Sequence, residues 1–278
     1  MTDGPFAILG LGLIGGSLAR DLAADGATVW GFDLNAQTVR EAQREAIISR
    51  AIDAEFSALH EAETVVLAVP VDVAPRLLEQ ALPHVQRARL ITDVGSTKRR
   101  IMQRAAALGL ASIFVGSHPM AGDHRAGWAA SRRGLFAGAR VDLCRTNETG
   151  SAAWSRAQTL WQSVGAETTE RDATTHDADM AFASHLPHLL SLALAGTLSS
   201  RAFARRHLGP AGKEMTRIAA SSAEMWAAIF EDNSVPVIDA LETCLAQLGA
   251  LRGAIERHDR KAIVEAFAAA NSWTERTS

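Results

Sequence analysis

The segment Gly10-Leu11-Gly12-Leu13-Ile14-Gly15 constrains the fold more than any other stretch of this 278-residue chain. It follows a short apolar run, Phe6 to Leu9, and opens a helix-like segment, Leu13 to Ala24, closed by Asp25-Gly26. A second apolar run, Thr28 to Phe32, ends at Asp33, about 20 residues beyond the glycines. In that setting the spacing predicts a strand, a glycine loop, a helix and a second strand that together hold a dinucleotide. The first glycine permits the turn, the second lets the backbone approach a pyrophosphate, and the third lets helix and strand pack closely. The helix N-terminus then stabilises the phosphate charge. Gly10, Gly12, Leu13, Ile14 and Gly15 are therefore expected to bind the cofactor, joined by Val69 and Gly95 at the ends of later strands. Asp33 suits a ribose diol, so NAD is expected over NADP: a 2′-phosphate would meet its charge, and no arginine follows immediately. The plainer alternatives are a glycine-rich turn without a ligand and an Asp33 that only caps the turn before Asn35.

Further apolar runs at Thr64–Val69, Leu90–Val94, Ile113–Val115 and Ala139–Leu143 read as strands, with helical stretches between most of them. This alternation predicts an α/β, Rossmann-type, doubly wound parallel sheet covered on both faces. From Thr174 onward the pattern is helical, so residues 1–172 are expected to form the nucleotide-binding domain and 173–278 an all-helical domain. Val235, Ile238, Leu241, Leu245, Leu248, Leu251 and Ile255 recur at spacings of three and four, one apolar stripe along a long helix. It has two readings: packing inside the helical domain, or packing against the same helix of a second subunit. The apolar stretch Met180 to Leu198 contains His185, Pro187, His188 and several serines, and is expected to be a buried helix rather than a membrane span.

Composition narrows the chemistry. Tyrosine is absent, which excludes the short-chain dehydrogenases with their catalytic tyrosine. The two cysteines, Cys144 and Cys244, lie far apart, which argues against a disulfide framework or a thiolate zinc site and fits a reducing, cytoplasmic setting. The N-terminus has no basic and apolar leader pattern. A net charge of −3 gives no reason to expect nucleic acid or an anionic membrane as partner.

In such sheets chemistry sits beyond the carboxyl ends of the strands. Two polar segments fall there: Asp93-Val94-Gly95-Ser96-Thr97-Lys98, and a turn, Gly116-Ser117-His118-Pro119-Met120-Ala121-Gly122. A histidine has the basicity to accept an alcohol proton near neutral pH, so His118 is the candidate base. Ser96 is placed to bond the same oxygen or the imidazole; its alternative is a helix N-cap. In the helical domain Asp177, Ser184 and His188 are spaced to share one helix face, with Pro187 interrupting it. Lys213, Glu214, Arg217 and Trp226 follow, Arg217 offering a planar fork for a carboxylate. His185 and His188 lack a third ligand at convincing spacing, so no metal is expected.

Taken together, Gly10–Ser17, Asp93–Ser96, Gly116–Gly122, Ser184-His185-Leu186-Pro187-His188 and Met215-Thr216-Arg217-Ile218-Ala219 resemble the prephenate/arogenate dehydrogenase family of tyrosine biosynthesis. The resemblance covers nearly the whole chain in order. It implies a Rossmann domain followed by a helical dimerisation domain, and a homodimer. It implies oxidative decarboxylation of a cyclohexadienol acid with NAD(P). His118 would take the proton of the ring C4 hydroxyl, with Ser96 orienting it, and Arg217 would bind the ring carboxylate. His188 and Ser184 would contact substrate across the cleft, Asp177 and Trp226 would support the pocket, and Lys213 and Glu214 would belong to the same substrate region. The chain departs from the family at Asp123-His124, where many members carry Thr-Glu or Ser-Glu, at Pro210-Ala211-Gly212, and at Glu214, where aspartate is usual. These departures bear on side-chain recognition. The competing expectations are a β-hydroxyacid or imino-acid reductase, with Lys213 as its one plausible catalytic lysine, and a non-catalytic NAD-binding regulator.

Overall fold

The computed structural model describes residues 4–122 and 125–276. Eight strands form one sheet in the order β3-β2-β1-β4-β5-β6-β7-β8. They are β1 (Phe6–Leu9), β2 (Val29–Phe32), β3 (Arg50–Ala51), β4 (Thr64–Leu67), β5 (Leu90–Asp93), β6 (Phe114–Pro119), β7 (Arg140–Cys144) and β8 (Glu167–Arg171). The strands from β3 through β6 are parallel, so helices must return the chain across the faces. The order reverses between β1 and β4, the switch point at which such sheets bind ligands. Helices α1 (Leu13–Ala24), α2 (Ala36–Arg44), α3 (Ala74–Ala81), α4 (Arg99–Ala107) and α5 (Ser151–Ser163) supply that cover. Two apolar cores, one on each face, contain Leu9, Leu67, Leu78 and Phe114 on one side and Ile8, Leu18, Val115 and Trp161 on the other.

Two expectations need correction here. The sheet is not wholly parallel: β7 runs antiparallel to β6, with His118 opposite Asp142. Consequently Gly116, Ser117 and His118 are not a turn. β6 pairs with β5 only through Phe114 and Val115, then continues alone along β7, which supplies the ladder partners that the local sequence cannot reveal. Strand alternation buries Ser117 against Trp161, whose Nε1 donates to Ser117 Oγ at 3.0 Å, and sends His118 to the opposite face.

The helical part comprises α6 (Ala173–Met180), α7 (Leu186–Ser200), α8 (Pro210–Met215), α9 (Ala223–Asp232), α10 (Ser234–Glu256) and α11 (Arg260–Arg276). Asp172 caps α6 by accepting from the amides of Thr174 and Thr175. Between α6 and α7, Ala181–His185 is one π-helical turn. Pro187 follows it, so the missing amide falls where the regular ladder has already been interrupted. The buried core cluster of this half is small: Ala181, Val237 and Ala240, with Leu186, Leu189 and Phe230 against them, and Met180, Ala228, Ile229 and Ala254 buried outside it.

The apolar stripe of α10 does not pack inside the chain. Val235, Ile238, Leu245, Leu248 and Ile255 are each more than half exposed, as are Val264 and Phe267 on α11. The stretch Met180–Leu198 is likewise not a buried helix within one chain: of the residues of α7 only Ser191 is buried. By length and composition alone, the helical run 173–200 and α10 would pass for membrane spans.

Candidate active site

The three glycines divide their work as the spacing predicts. Gly10 has φ +103°, and a Cβ there would lie 2.2 Å from the carbonyl oxygen of Ala68. A Cβ on Gly15 would lie 2.0 Å from the carbonyl oxygen of Gly10, so the helix closes directly on the turn. A Cβ on Gly12 would point into open space, which leaves the backbone approachable from the cleft. No side chain caps the N-terminus of α1 and no acidic residue lies in its first turn, so its free amides face an anion without competition. Val69 packs against Gly10, and Gly95 donates its amide to Asp93 at 2.8 Å. Asp33 both caps and closes the loop: its carboxylate accepts from Leu11 N and from Asn35 N, each at 2.8 Å. Each oxygen retains acceptor capacity for a diol. These features fit a dinucleotide.

His118 is partly exposed at the carboxyl end of β6. Its Nδ1 lies 2.9 Å from Nε2 of His176, whose Nδ1 lies 2.8 Å from Oδ1 of Asp177. Asp177 in turn accepts the amides of Lys98 at 2.7 Å and Arg99 at 2.9 Å, capping α4 from the other domain. Burial opposes ionisation of Asp177, but the bonds from His176 and the two amides outweigh it and hold its carboxyl below the usual 3.8. Burial pulls His118 well below the ordinary 6.5, and the His176 ring and the Lys98 ammonium act in the same direction. His118 is therefore neutral near pH 7.

Lys98 itself is fully buried. Its ammonium pairs with Asp93 and donates to the carbonyl of Ser117 at 2.7 Å. Asp93 also accepts from the amide of Ser117 at 3.2 Å, so Lys98 and Asp93 tie the ends of β5 and β6 together. Ser96 lies in this loop, partly exposed, and makes no side-chain hydrogen bond to a described residue. It is not the N-cap of α4, since Asp177 does that work.

In the helical half, the ring of Trp226 stacks on His188 with centroids 3.6 Å apart. His188 Nδ1 bonds the carbonyl of Ser184 at 3.0 Å, which leaves Nε2 as the second polar atom of the ring. Burial lowers the pKa of His188; the Ser184 carbonyl works the other way, and the charge of Arg217 adds to the lowering. Arg217 itself is exposed at the start of a 3₁₀ turn, Arg217–Ala220, which packs on α7. Trp226 Nε1 is buried without a hydrogen-bond partner among the described residues. His185, brought down by burial to about 4, sits beneath Trp226 and faces Asn233 Nδ2 at 3.2 Å.

Several sequence expectations change. Asp177 does not share a face with Ser184 and His188: the π turn at 181–185 shifts the helical phase, and Asp177 turns inward, 2% exposed and engaged with His176 and α4. It supports the site from beneath and is not available to substrate. Lys213 and Glu214 are exposed on α8 and make no ion pair among the described residues. Asp123-His124 lies outside the described residues. His176 and Asn233 were not anticipated, because their partners lie 58 and 56 residues away in sequence. Lys98 enters the sequence reading only as the last residue of the Asp93–Lys98 segment, and its pairing with Asp93 is open to inference from their shared loop.

The family model "Prephenate dehydrogenase, nucleotide-binding domain" matches residues 18–170, and "Prephenate dehydrogenase, dimerization domain" matches residues 172–269. The chain belongs to the prephenate dehydrogenase family. The family's Bacillus subtilis prephenate dehydrogenase is 30% identical over 96% of this chain and 74% of its own length. A cyclohexadienyl dehydrogenase of Zymomonas mobilis is 30% identical over 94% of this chain and 92% of that one. The crystal structure of prephenate dehydrogenase from A. aeolicus in complex with hydroxyphenyl propionate and NAD+ superposes with a TM-score of 0.92 at 26% identity, covering 100% of this chain and 99% of that one. This chain is accordingly an oxidoreductase of the prephenate dehydrogenase family. Among the described residues no group of acidic, histidine or cysteine side chains is arranged to hold a metal ion.

Proposed function

We propose that the protein carries out NAD-dependent oxidative decarboxylation of prephenate, arogenate or both, giving 4-hydroxyphenylpyruvate or tyrosine, in a cytoplasmic homodimer. The observation that carries this reading is the chain of bonds from His118 at the carboxyl end of β6 through His176 to Asp177, which joins the nucleotide-binding half to the helical half that holds His188, Trp226 and Arg217. NAD, when bound, accepts the hydride from ring C4. His118 accepts the hydroxyl proton at Nε2, Ser96 hydrogen-bonds the same oxygen, and Arg217 holds the ring carboxylate until it leaves as carbon dioxide. His188, Ser184 and Trp226 line the substrate side, while Lys213 and Glu214 flank Arg217. The domains divide at Asp172, the residue between β8 and α6. Purified protein given NAD with prephenate and with arogenate in parallel should produce NADH with at least one; no absorbance change with either refutes the reading. The reductase alternative gains nothing from the geometry, since Lys213 is exposed and forms no bond to the His118 cluster.

Three further results are expected. Because His118 must be neutral to act and its pKa is depressed, kcat/KM should hold as pH falls and decline only below the ordinary value of 6.5. An acid limb at or above 6.5 in a pH–rate profile contradicts this. Asp33 should give a clear preference for NAD, read as kcat/KM for the two cofactors; equal use of NADP contradicts it.

The third concerns assembly. Both α10 and α11 expose large apolar side chains, more than a small helical core of this kind covers by itself. The matched dimerization domain, residues 172–269, covers α10 and the first part of α11, so a second copy of this chain is the occupant. Leu248→Glu, in the middle of the stripe, should shift the protein from dimer to monomer in analytical ultracentrifugation. A monomeric wild type at micromolar concentration would overturn the assembly.

A further inference from the structure

We propose that His176 and Asp177 are positioning residues that hold His118 as the tautomer whose Nε2 lone pair faces the cleft. The proposal rests on the reading of His118 as the base. With His176 carrying a single ring proton, the hydrogen-bond inventory admits one arrangement. Asp177 is an acceptor, already bonded to the amides of Lys98 and Arg99. His176 Nδ1 must then donate to it, which leaves His176 Nε2 as an acceptor. His118 Nδ1 must donate to that nitrogen, which leaves His118 Nε2 without a proton. Nothing in the arrangement is loose: His176 is 1% and Asp177 2% exposed, and α4 clamps the carboxylate through two amides.

The same pair answers an electrostatic difficulty. When His118 takes the hydroxyl proton it becomes a cation in a largely desolvated place, with Lys98 and Arg140 nearby. Asp93 is paired with Lys98, and Asp142, across the strand, with Arg140 and Arg171. Asp177 is the carboxylate left to balance the imidazolium, and it reaches it through the His176 ring. No proton needs to travel along the chain; the proton from the hydroxyl stays on His118 Nε2 and the other two stay where they were.

Glutamine can replace both bonds of His176, accepting from His118 with its oxygen and donating to Asp177 with its amide. Phenylalanine can replace neither. His176→Phe is therefore expected to lower kcat by ~10²-fold or more, with KM for substrate and for NAD within about threefold of wild type. His176→Gln should recover most of the loss. In protein labelled with ¹⁵N-histidine, the wild type at neutral pH should show His118 protonated on Nδ1 and bare on Nε2, and His176→Phe should lose that preference.

A His176→Phe enzyme with near-normal kcat overturns the proposal, as does a wild-type His118 protonated on Nε2. So does a loss in His176→Phe that His176→Gln fails to recover. The tautomer measurement needs no variant, so it decides even if His176→Phe does not fold. The base assignment is tested apart from this by substituting His118: an inactive His118 variant beside a fully active His176→Phe would sink the positioning role alone.

Discussion

Replacing His118 with asparagine is expected to lower kcat by roughly 10²–10⁴-fold. Asparagine keeps a polar group of similar reach and can still donate to His176, so the β6–β7 ladder and the cluster beneath it should survive. What it cannot do is accept a proton. The loss should therefore fall on kcat at saturating substrate and NAD, with KM for either changing by about threefold at most. Depressed basicity does not argue against the role: at neutral pH almost every His118 is in the form that can act, and proton uptake is driven in the transition state by the loss of hydride. The check is steady-state kinetics, with thermal denaturation showing an unaltered fold. Turnover within about threefold of wild type would remove His118 from the chemistry and the proposed mechanism with it.

The second large effect should come from Arg217→Ala, and it should have the opposite signature. Arg217 is exposed at the start of the Arg217–Ala220 turn and makes no ion pair among the described residues, so its removal leaves no buried partner stranded. Its contribution lies in the complex, where a guanidinium–carboxylate pair contributes about 1.5–3 kcal/mol. KM for substrate should rise by roughly 10–100-fold while KM for NAD stays close to wild type. Arg217→Lys should recover only part of this, since an ammonium keeps the charge and loses the paired donors. If Arg217→Ala leaves substrate KM untouched, or raises KM for NAD by the same factor, the carboxylate is held elsewhere.

Much of the nucleotide half could be read from residues alone, because its signals are local. Gly10, Gly12 and Gly15 each satisfy a constraint set within one strand–helix turn, and Leu13–Ala24 begins and ends where the pattern places it. Long-range pairing was not legible. Gly116 to Pro119 reads as a turn because glycine and proline usually punctuate strands, and only pairing with β7, reached through an intervening loop, makes the segment a strand. The edge strand β8, Glu-Thr-Thr-Glu-Arg, carries no apolar run, since an edge is solvated. The helical half misled in a different way. Its periodicity was correct, but counting by 3.6 across 181–185 assumes an uninterrupted helix, and the π turn puts Asp177 under His118 instead of beside His188. Pro187 was the available warning.

The cap on α4 carries a consequence for how this protein can be taken apart. The first turn of that helix, an element of the nucleotide half, finds its acceptor in Asp177 of the helical half, while Thr97 and Arg100 bond Asp232 there at 2.6 and 3.0 Å. Residues 1–172 expressed alone would expose four of these donors with nothing to receive them, next to the lysine that fastens β5 to β6. Modular exchange of helical halves between relatives would meet the same seam: a graft that omits either aspartate would loosen the floor on which the histidine rests, even with every substrate contact transplanted intact.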